Sequence, residues 1–330
     1  MRVLLTRLSA LGDIVHTWPL AQVLGQRGEL FWLVEERFLP LVAYHPQVRG
    51  VLPLATKSWR KTPWGSASRQ QVAAVLGQLR RLGLEAAVDP QGLVKSAIWP
   101  ALAKIPRRLG LARAHRRERV AGLFYTETVN PPQEACHVVD FNLALGQALG
   151  IPVTYGCCPD GSFLKPHLPP PPPEAFAVLL FPATGQLHKT WPPEAFAALA
   201  RRLLREGLPV TVMWGPGERA AAQAVVDLAP GARIGPPTDL LQLASCLAHA
   251  HGAIGGDTGP IHLAAALGTR TVGLFLATDP VRNAPRGPAV GIVRGASSGA
   301  RRGKATTQPI RQVPPEEVAE AFWRLLSQPV

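Results

Sequence analysis

The sequence predicts an α/β protein made of two doubly wound, parallel-sheet domains. Short runs rich in leucine and β-branched residues alternate with longer helical patterns along nearly the whole chain, which is typical of parallel α/β units. The length of 330 residues exceeds the size at which a single core normally stops growing, so two domains are expected.

The domain boundary is predicted at five consecutive prolines, Pro169–Pro173. Such a run can enter neither a helix nor a central strand, and it favours an extended, semi-rigid linker. We therefore place the first domain at 1–168, the linker at 169–174, the second domain at 175–312 and a C-terminal helix at 313–330. We expect that helix to pack back onto the first domain.

The first half carries three predicted strands and three predicted helices. The strands are Val3–Leu5, Leu30–Val34 and Ala86–Asp89, and the helices are Ile14–Gln26, Arg69–Leu82 and Cys136–Leu149.

The second half repeats the scheme as a complete doubly wound domain. Its predicted strands are Phe176–Phe181, Val210–Trp214, Ala253–Gly255 and Thr271–Phe275. Its predicted helices are Pro193–Glu206, Glu218–Leu228, Leu240–Ala248 and Pro260–Leu267. The segment 297–308, rich in Gly, Ser, Arg and Thr, predicts a mobile loop before a final amphipathic helix at Pro315–Leu326.

Composition limits the classes of function. Lys and Arg total 35 against 22 Asp and Glu, a formal charge of +13, so partners that carry phosphate or carboxylate groups are favoured. No zinc-finger spacing, RNA-binding consensus or basic heptad region is present, and we expect no nucleic-acid partner. Four cysteines without a CxxC spacing indicate neither a disulfide scaffold nor a zinc site and fit a reducing cytoplasm.

Membrane contact, if the protein makes any, is predicted to be peripheral. Arg7 and Asp13 interrupt the apolar start of the chain, which argues against a signal peptide. No run reaches the apolar length that a bilayer-spanning helix needs.

Two motifs in the first half join a predicted strand to a helix through a polar turn. LSALGDIVHTWP contains Ser9, Gly12 and Asp13, and VDPQGLVKSA contains Gln91 and Lys95. Open α/β sheets bind ligands at the carboxyl ends of their strands, so both turns are candidate sites. Asp13 is either the N-cap of the following helix or a reactive carboxylate, and the pattern alone favours the cap.

In the second half, GGDTGPIHLAAALGTRTVGLF ends a strand and begins a helix. Asp257 is a candidate N-cap, and the amides of Thr258 and Gly259 at the helix start are suited to binding a diphosphate. His262 is either a packed histidine or a catalyst, and packing is the commoner case.

The motif LLFPATGQLHKTWPPEAF places Thr184, Gly185 and Lys189 on a polar loop after a strand. Lys189 either neutralises the charge of a departing phosphate or is an ordinary surface lysine, and the pattern does not decide between them.

A basic segment in the first half has two interpretations of equal weight, a solvated face or an electrostatic landing site for an acidic acceptor. Its arginines are Arg107, Arg108, Arg113, Arg116, Arg117 and Arg119.

Over almost its whole length the chain resembles the lipopolysaccharide heptosyltransferases, glycosyltransferase family 9. Six ordered motifs carry the resemblance: LSALGDIVHTWP, QGLVKSA, RRERVAGLFY, HVVDFNLALGQALG, TGQLHKTWP and GDTGPIHLAAALGTRTVGLFLATDP. The resemblance implies a GT-B fold, in which an acceptor-binding and a nucleotide-sugar-binding Rossmann-like domain face each other across a cleft. It also implies inverting transfer of heptose from ADP-heptose to an acidic inner-core glycolipid, by a cytoplasmic enzyme at the inner membrane that needs no cofactor.

The resemblance also implies roles for individual residues. Asp13 resembles the general base, and Lys189 resembles the lysine at the donor's phosphate and ribose. The other implied donor-binding residues are Thr184, Gly185, Thr238, Asp257, Thr258, Gly259 and His262, with Asp257 holding sugar hydroxyls. The acceptor-binding residues that we assign are Ser9, Gly12, Gln91, Lys95, Arg116 and Arg117.

These roles predict an in-line displacement. Asp13 takes the proton of the acceptor hydroxyl, the oxygen attacks the anomeric carbon, and Lys189 with the helix start stabilises the diphosphate. No metal is expected, because no DxD pair lies where it would bridge phosphates. Three alternatives stay open: transfer with another nucleotide sugar or acceptor, a non-catalytic nucleotide-sugar-binding protein, and an epimerase that acts on the nucleotide sugar itself.

Overall fold

The structure, a computed structural model, describes residues 1–56, 66–183, 190–295 and 313–328. The chain divides into two compact units, Met1–Cys157 and Cys158–Val330. Each unit has its own six-stranded parallel sheet. The predicted loop at 297–308 lies outside the described residues.

The first unit has the strand order β3-β2-β1-β4-β5-β6. Its strands are β1 (Arg2–Thr6), β2 (Glu29–Glu35), β3 (Val48–Leu54), β4 (Ala86–Asp89), β5 (Arg107–Leu111) and β6 (Glu127–Val129). Its helices are α1 (Leu11–Val15), α2 (Trp18–Gln26), α3 (Ser66–Arg81), α4 (Val94–Leu102) and α5 (Val138–Gln147), with short 3₁₀ helices at Glu36–Leu41 and Arg119–Phe124.

The second unit has the strand order β12-β11-β10-β7-β8-β9. Its strands are β7 (Val178–Phe181), β8 (Val210–Val212), β9 (Arg233–Ile234), β10 (Gly252–Gly256), β11 (Thr271–Phe275) and β12 (Val290–Arg294). Its helices are α6 (Pro193–Arg205), α7 (Arg219–Leu228), α8 (Leu240–His249), α9 (Gly259–Ala266), α10 (Pro280–Asn283) and α11 (Pro315–Leu326), with 3₁₀ helices at Ser162–His167 and Pro173–Ala175.

The central strands are buried, apart from Arg2 at the start of β1, as parallel sheets covered on both faces require. Every residue of β4, β7 and β10 is buried. A core around Leu4, Leu33 and Trp99 belongs to the first unit, and a core around Leu180, Phe196 and Phe322 belongs to the second.

Both sheets have the same doubly wound topology, with one point at which the strand order reverses. That point lies between β1 and β4 in the first unit and between β7 and β10 in the second. Connections leave the two strands in opposite directions there, which opens a crevice at their carboxyl ends. The four motifs singled out in the sequence each follow one of these four strands.

Three features differ from the predicted ones. The second unit begins at Cys158, because the segment before the prolines packs within it: the Gly161 amide donates to the Ala266 carbonyl (2.8 Å) and the Ser245 hydroxyl to the Pro169 carbonyl (2.6 Å). The C-terminal helix was expected to pack on the first domain, but its apolar face, which includes Phe322, lies in the core of the second unit.

The third difference is the helix predicted at Ile14–Gln26, which the structure divides into α1 and α2. Pro19 is the cause, because it has no amide to bond the carbonyl four residues earlier and continue α1. A new helix therefore begins at Trp18, with Thr17 as its N-cap.

Candidate functional site

In the first unit, the turn after β1 brings Arg7 and Asp13 together. The Arg7 Nη2 atom lies 2.6 Å from Asp13 Oδ1. The arginine side chain is 5% exposed and the aspartate side chain 40% exposed, so the pair joins a buried cation to an accessible carboxylate. The second carboxylate oxygen of Asp13 accepts from the Ala10 amide at 3.3 Å.

Asp13 is therefore not the N-cap of its helix. Helix α1 begins at Leu11 with Ala10 as the N-cap residue, and Asp13 is the third helical residue. Its bond to the Ala10 amide satisfies one of the donors that a helix start leaves open. Gly12, beside it, is buried within α1.

A charged network continues along the same sheet edge. Lys95 Nζ lies 2.9 Å from the Ser9 hydroxyl and 3.3 Å from Glu35 Oε1. Glu35 is buried and also lies 3.0 Å from the Arg37 guanidinium. One buried carboxylate thus holds two partly exposed cations beside the turn after β1, an arrangement suited to an anionic ligand.

Gln91 ties the turn after β4 to the turn after β1. Its Oε1 accepts from the Leu8 amide at 2.8 Å, and its Nε2 lies 3.5 Å from Ser9 Oγ. The predicted residues Ser9, Gln91 and Lys95 therefore meet at one place, on both sides of the point where the strand order reverses.

Asp89, the last residue of β4, is buried and uses its carboxylate to hold the turn that follows. Its carboxylate accepts from the amides of Gln91 and Gly92 and from the hydroxyls of Ser96 and Tyr125, at 2.7 to 3.2 Å. Burial raises the pKa of Asp89 to about 6 in spite of these four donors. Burial and the nearby Asp89 carboxylate raise the pKa of the Tyr125 hydroxyl far above its usual value.

The two arginines assigned to the acceptor have different surroundings. The Arg116 guanidinium donates to the Arg119 carbonyl (2.9 Å) and lies near the Leu111 carbonyl (3.4 Å). A side chain at Gly92, whose φ is +66°, would lie 2.9 Å from Arg116 Cβ, so only glycine fits there. Arg117 is exposed. Arg116 thus shapes its loop, whereas Arg117 presents its charge to solvent.

In the second unit, the turn after β10 brings Asp257 and His262 together. Asp257 Oδ1 lies 3.1 Å from His262 Nε2, with the imidazole 5% and the carboxylate 17% exposed. Helix α9 begins at Gly259 with Thr258 as N-cap, so Asp257 precedes the cap position predicted for it. The Thr258 hydroxyl is buried and has no hydrogen-bond partner within the described parts of the chain.

Of the four other residues predicted for the donor site, the structure describes Thr238. Thr238 lies half-buried between β9 and α8, directly before Asp239, which caps α8 by accepting from the Gln242 amide at 2.8 Å. Thr184, Gly185 and Lys189 lie outside the described residues.

The sequence did not predict Arg7 or Glu35 as part of the site. A signal for both was present, since each is a charged residue at the carboxyl end of a buried strand. A charge in that position needs a partner at the sheet edge, because burying it unpaired is costly.

Residues 1–56, 66–183, 190–295 and 313–328 include neither a metal-binding cluster nor a membrane-spanning helix. There, no three His, Cys, Asp or Glu side chains lie close enough together to hold a metal ion. Across those ranges, too, no helix has the length and apolar character needed to cross a bilayer.

Two doubly wound units, each with polar side chains where its strand order reverses, define the architecture of a GT-B glycosyltransferase. Residues 72–310 match the model of Glycosyltransferase family 9 (heptosyltransferase). The chain belongs to this family and is a glycosyltransferase.

Named relatives agree with this membership. The chain is 33% identical over 286 residues to Lipopolysaccharide heptosyltransferase 1 of Pseudomonas aeruginosa, which covers 85% of this chain and 80% of that protein. It is 30% identical over 286 residues to the protein of the same name from Escherichia coli K12, covering 85% and 89%.

Solved structures agree as well. The chain resembles E. coli heptosyltransferase WaaC with ADP, with a TM-score of 0.81 and 27% identity over 98% of this chain and 100% of that chain. The same enzyme with ADP-2-deoxy-2-fluoro heptose gives a TM-score of 0.77 and 26% identity over 98% and 99%.

Proposed function

We propose that this glycosyltransferase transfers a heptose from ADP-heptose to an acidic sugar of the lipopolysaccharide inner core, with inversion at the anomeric carbon. The names of the relatives support the acceptor class. The ADP and ADP-2-deoxy-2-fluoro heptose of the two WaaC structures support the donor. On this proposal the first unit binds the acceptor and the second binds the nucleotide sugar.

The proposal is carried by the carboxylate of Asp13. It lies where the strand order of the first unit reverses, it is held on one side by Arg7, and 40% of its side chain is exposed. A base for this reaction must be fixed in position and within reach of the acceptor hydroxyl. The contacts with Arg7 and the Ala10 amide hold Asp13 in position, and its exposure supports access by a hydroxyl.

The reaction proceeds in one displacement. Asp13 takes the proton of the acceptor hydroxyl, the oxygen forms a bond to the anomeric carbon, and the bond from that carbon to the diphosphate breaks. ADP leaves with the electron pair of that bond. The helix start at Thr258 and Gly259, together with Lys189, stabilises its charge without a metal or other cofactor.

Neighbouring side chains position the two substrates. Lys95 and Arg117 attract the anionic acceptor, while Ser9, Gly12 and Gln91 shape the surface beneath it. On the donor side, Asp257 accepts from sugar hydroxyls and His262 orients its carboxylate through their 3.1 Å contact. Thr238 lies beside the adenine.

The acceptor is a glycolipid, so the enzyme works at the cytoplasmic face of the inner membrane. The 3₁₀ helix Arg119–Phe124 supports this location, because Val120 is 58% and Leu123 83% exposed. The exposed Arg117 and Arg119 precede them in the chain. Apolar side chains among arginines suit an anionic lipid surface.

Replacing Asp13 by Asn tests the function. We expect Asp13→Asn to lower the rate of ADP release, measured with donor and acceptor, by a factor of about 100 to 10,000, the usual contribution of a general base. ADP binding, measured by thermal shift, stays unchanged. Glu134→Gln, at an exposed position of the same unit, removes the same charge and keeps the parent rate.

Other outcomes identify other functions. Parent activity in Asp13→Asn contradicts the base assignment. ADP binding by the parent without transfer to any acceptor indicates a binding protein, and conversion of the donor without an acceptor indicates an epimerase. Thermal shifts larger for UDP, GDP or CDP than for ADP contradict the donor, because stabilisation rises as RT ln(1 + [L]/Kd).

A further inference from the structure

We infer that Arg7 is a positioning residue that fixes the carboxylate of Asp13 for proton transfer. The inference rests on the proposed function, in which Asp13 is the base.

The backbone of Arg7 is fixed against β2. Its amide donates to the Leu33 carbonyl at 3.2 Å, and its carbonyl accepts from the Trp32 indole at 3.2 Å. The Cα atom of Arg7 therefore has little freedom, and its side chain starts from a defined point at the sheet edge.

The guanidinium joins two further elements. Nη1 donates to the Pro90 carbonyl at 3.0 Å, and Nη2 lies 2.6 Å from Asp13 Oδ1. The planar fork of an arginine can bond both acceptors at once, which a single ammonium cannot do in the same geometry. Through this fork, the turn after β4 sets the orientation of a side chain on α1.

In the ion pair, Asp13 compensates the buried charge of Arg7, and Arg7 orients the carboxylate of Asp13. Among the residues that the structure describes, Asp13 is the only acidic group in an ion pair with Arg7, and the Arg7 Nε atom is buried without a hydrogen-bond partner there. A buried guanidinium is costly unless it is paired. Without Arg7, the carboxylate of Asp13 would keep one hydrogen bond, the 3.3 Å contact to the Ala10 amide. Because the side chain is 40% exposed, it could then adopt several rotamers.

The contacts of Asp13 leave part of its carboxylate free to accept a further hydrogen bond. A carboxylate has about four lone-pair sites, and the bonds from Arg7 and Ala10 use two of them. Asp13 thus keeps acceptor capacity on its exposed edge, where an acceptor hydroxyl approaches. Arg7 itself is buried, so it acts through Asp13 and does not touch substrate.

A set of four variants tests the inference: Arg7→Met, Arg7→Lys, Asp13→Asn and the double variant Arg7→Met/Asp13→Asn. We expect Arg7→Met to lower kcat about 10- to 100-fold with the KM for the donor within about twofold, because the base is misplaced while the donor site is intact. Arg7→Lys retains the charge and has an intermediate kcat. The double variant is no slower than Asp13→Asn, because Arg7 acts through Asp13.

Arg2→Met is the matched control. Arg2 lies in β1 and forms an ion pair with Glu29 at the same 2.6 Å distance, but both side chains are about half exposed. Loss of such a surface pair should leave kcat at the parent value. Slow amide exchange in the first-unit strands β1 and β4 reports that each variant is folded where it is changed, and Arg7→Lys carries the test if Arg7→Met does not fold.

Three results would overturn the inference. In the first, Arg7→Met has the parent kcat. In the second, the double variant is slower than Asp13→Asn by the same factor that Arg7→Met shows alone, which means that Arg7 and Asp13 contribute to kcat independently. In the third, Asp13→Asn is fully active, which contradicts both the base assignment and this inference. An inactive Asp13→Asn together with a fully active Arg7→Met would contradict only the role of Arg7.

Discussion

Two carboxylates of the first unit lie close to the same sheet edge in opposite environments. Asp13 is accessible and faces a cation, whereas Asp89 is buried among two amides and two hydroxyls. Neutral donors do not fully replace lost hydration, so burial raises the pKa of Asp89 to about 6. The buried carboxylate organises the turn after β4, whereas the carboxylate of Asp13 is accessible to solvent.

The raised pKa of Asp89 makes stability depend on pH. The native state holds the proton up to about pH 6, whereas the unfolded chain loses it near 3.8, so the free energy of unfolding falls as pH rises between these values. Asp89→Asn removes this dependence. Between pH 4.5 and 7.5 we expect the variant to gain about 2 kcal/mol relative to the parent, measured by urea unfolding.

Glu127→Gln is the control with the opposite sign. Hydrogen bonds from Arg107 lower the pKa of the half-buried Glu127 carboxyl, so the charged form stabilises the native state and Glu127→Gln gains nothing as pH rises. A difference between Asp89→Asn and the parent that is constant from pH 4.5 to 7.5 would contradict the raised pKa.

The sequence patterns singled out candidate residues whose signal lies within one segment. Ser9, Asp13, Gln91 and Lys95 each lie in a strand–turn–helix motif, and the sheet topology brings the two motifs together. Arg7 was missed because its partners, Pro90 and Asp13, belong to different segments. Its role becomes visible only when β1 and β4 pair.

At the scale of elements, the predicted strands were the central ones. Val3–Leu5, Ala86–Asp89 and Thr271–Phe275 lie inside observed strands, because buried parallel strands have continuous apolar sequences. The missed strands include all four sheet edges, β3, β6, β9 and β12. Edge strands tolerate polar residues and proline, such as Pro53 in β3, so their pattern resembles that of loops.

The 3₁₀ helix Arg119–Phe124 exposes two apolar side chains, and their part in membrane binding can be tested. Replacing Val120 and Leu123 by Ser removes two exposed apolar side chains without opening a core. We expect the double variant to bind vesicles containing anionic phospholipid at least about tenfold more weakly, since burying one such side chain is worth about 1.5 kcal/mol or more. Sedimentation with vesicles measures the affinity.

Leu228→Ser/Val281→Ser provides the comparison for vesicle binding. Leu228 and Val281 are also exposed, at 43% and 51%, but they lie in the second unit and outside the arginine-rich segment. That variant should bind vesicles as the parent does. Equal binding by parent and Val120→Ser/Leu123→Ser would show that another surface meets the membrane, and weaker binding at high salt would report the arginines.

At the scale of the whole molecule, the two units repeat one topology with different side chains where the strand order reverses. The first presents Asp13, Lys95 and Arg7, and the second presents Asp257 and a helix start at Gly259. Each unit has its own core. A ligand that binds one unit is therefore expected to stabilise that unit first.

If the second unit binds the nucleotide, as proposed, ADP should slow amide exchange in that unit. At about 100 times its Kd, ADP should stabilise its binding site by about 2.7 kcal/mol and slow amide exchange in peptides from 252–266, which contain β10 and α9. Peptides from 2–15 keep their exchange rates, because the proposed acceptor side has no contact with ADP alone. Hydrogen–deuterium exchange with mass spectrometry resolves the two regions, and Asp13→Asn should show the same protection as the parent. Protection confined to 2–15 would place the nucleotide in the first unit and reverse the assignment of donor and acceptor.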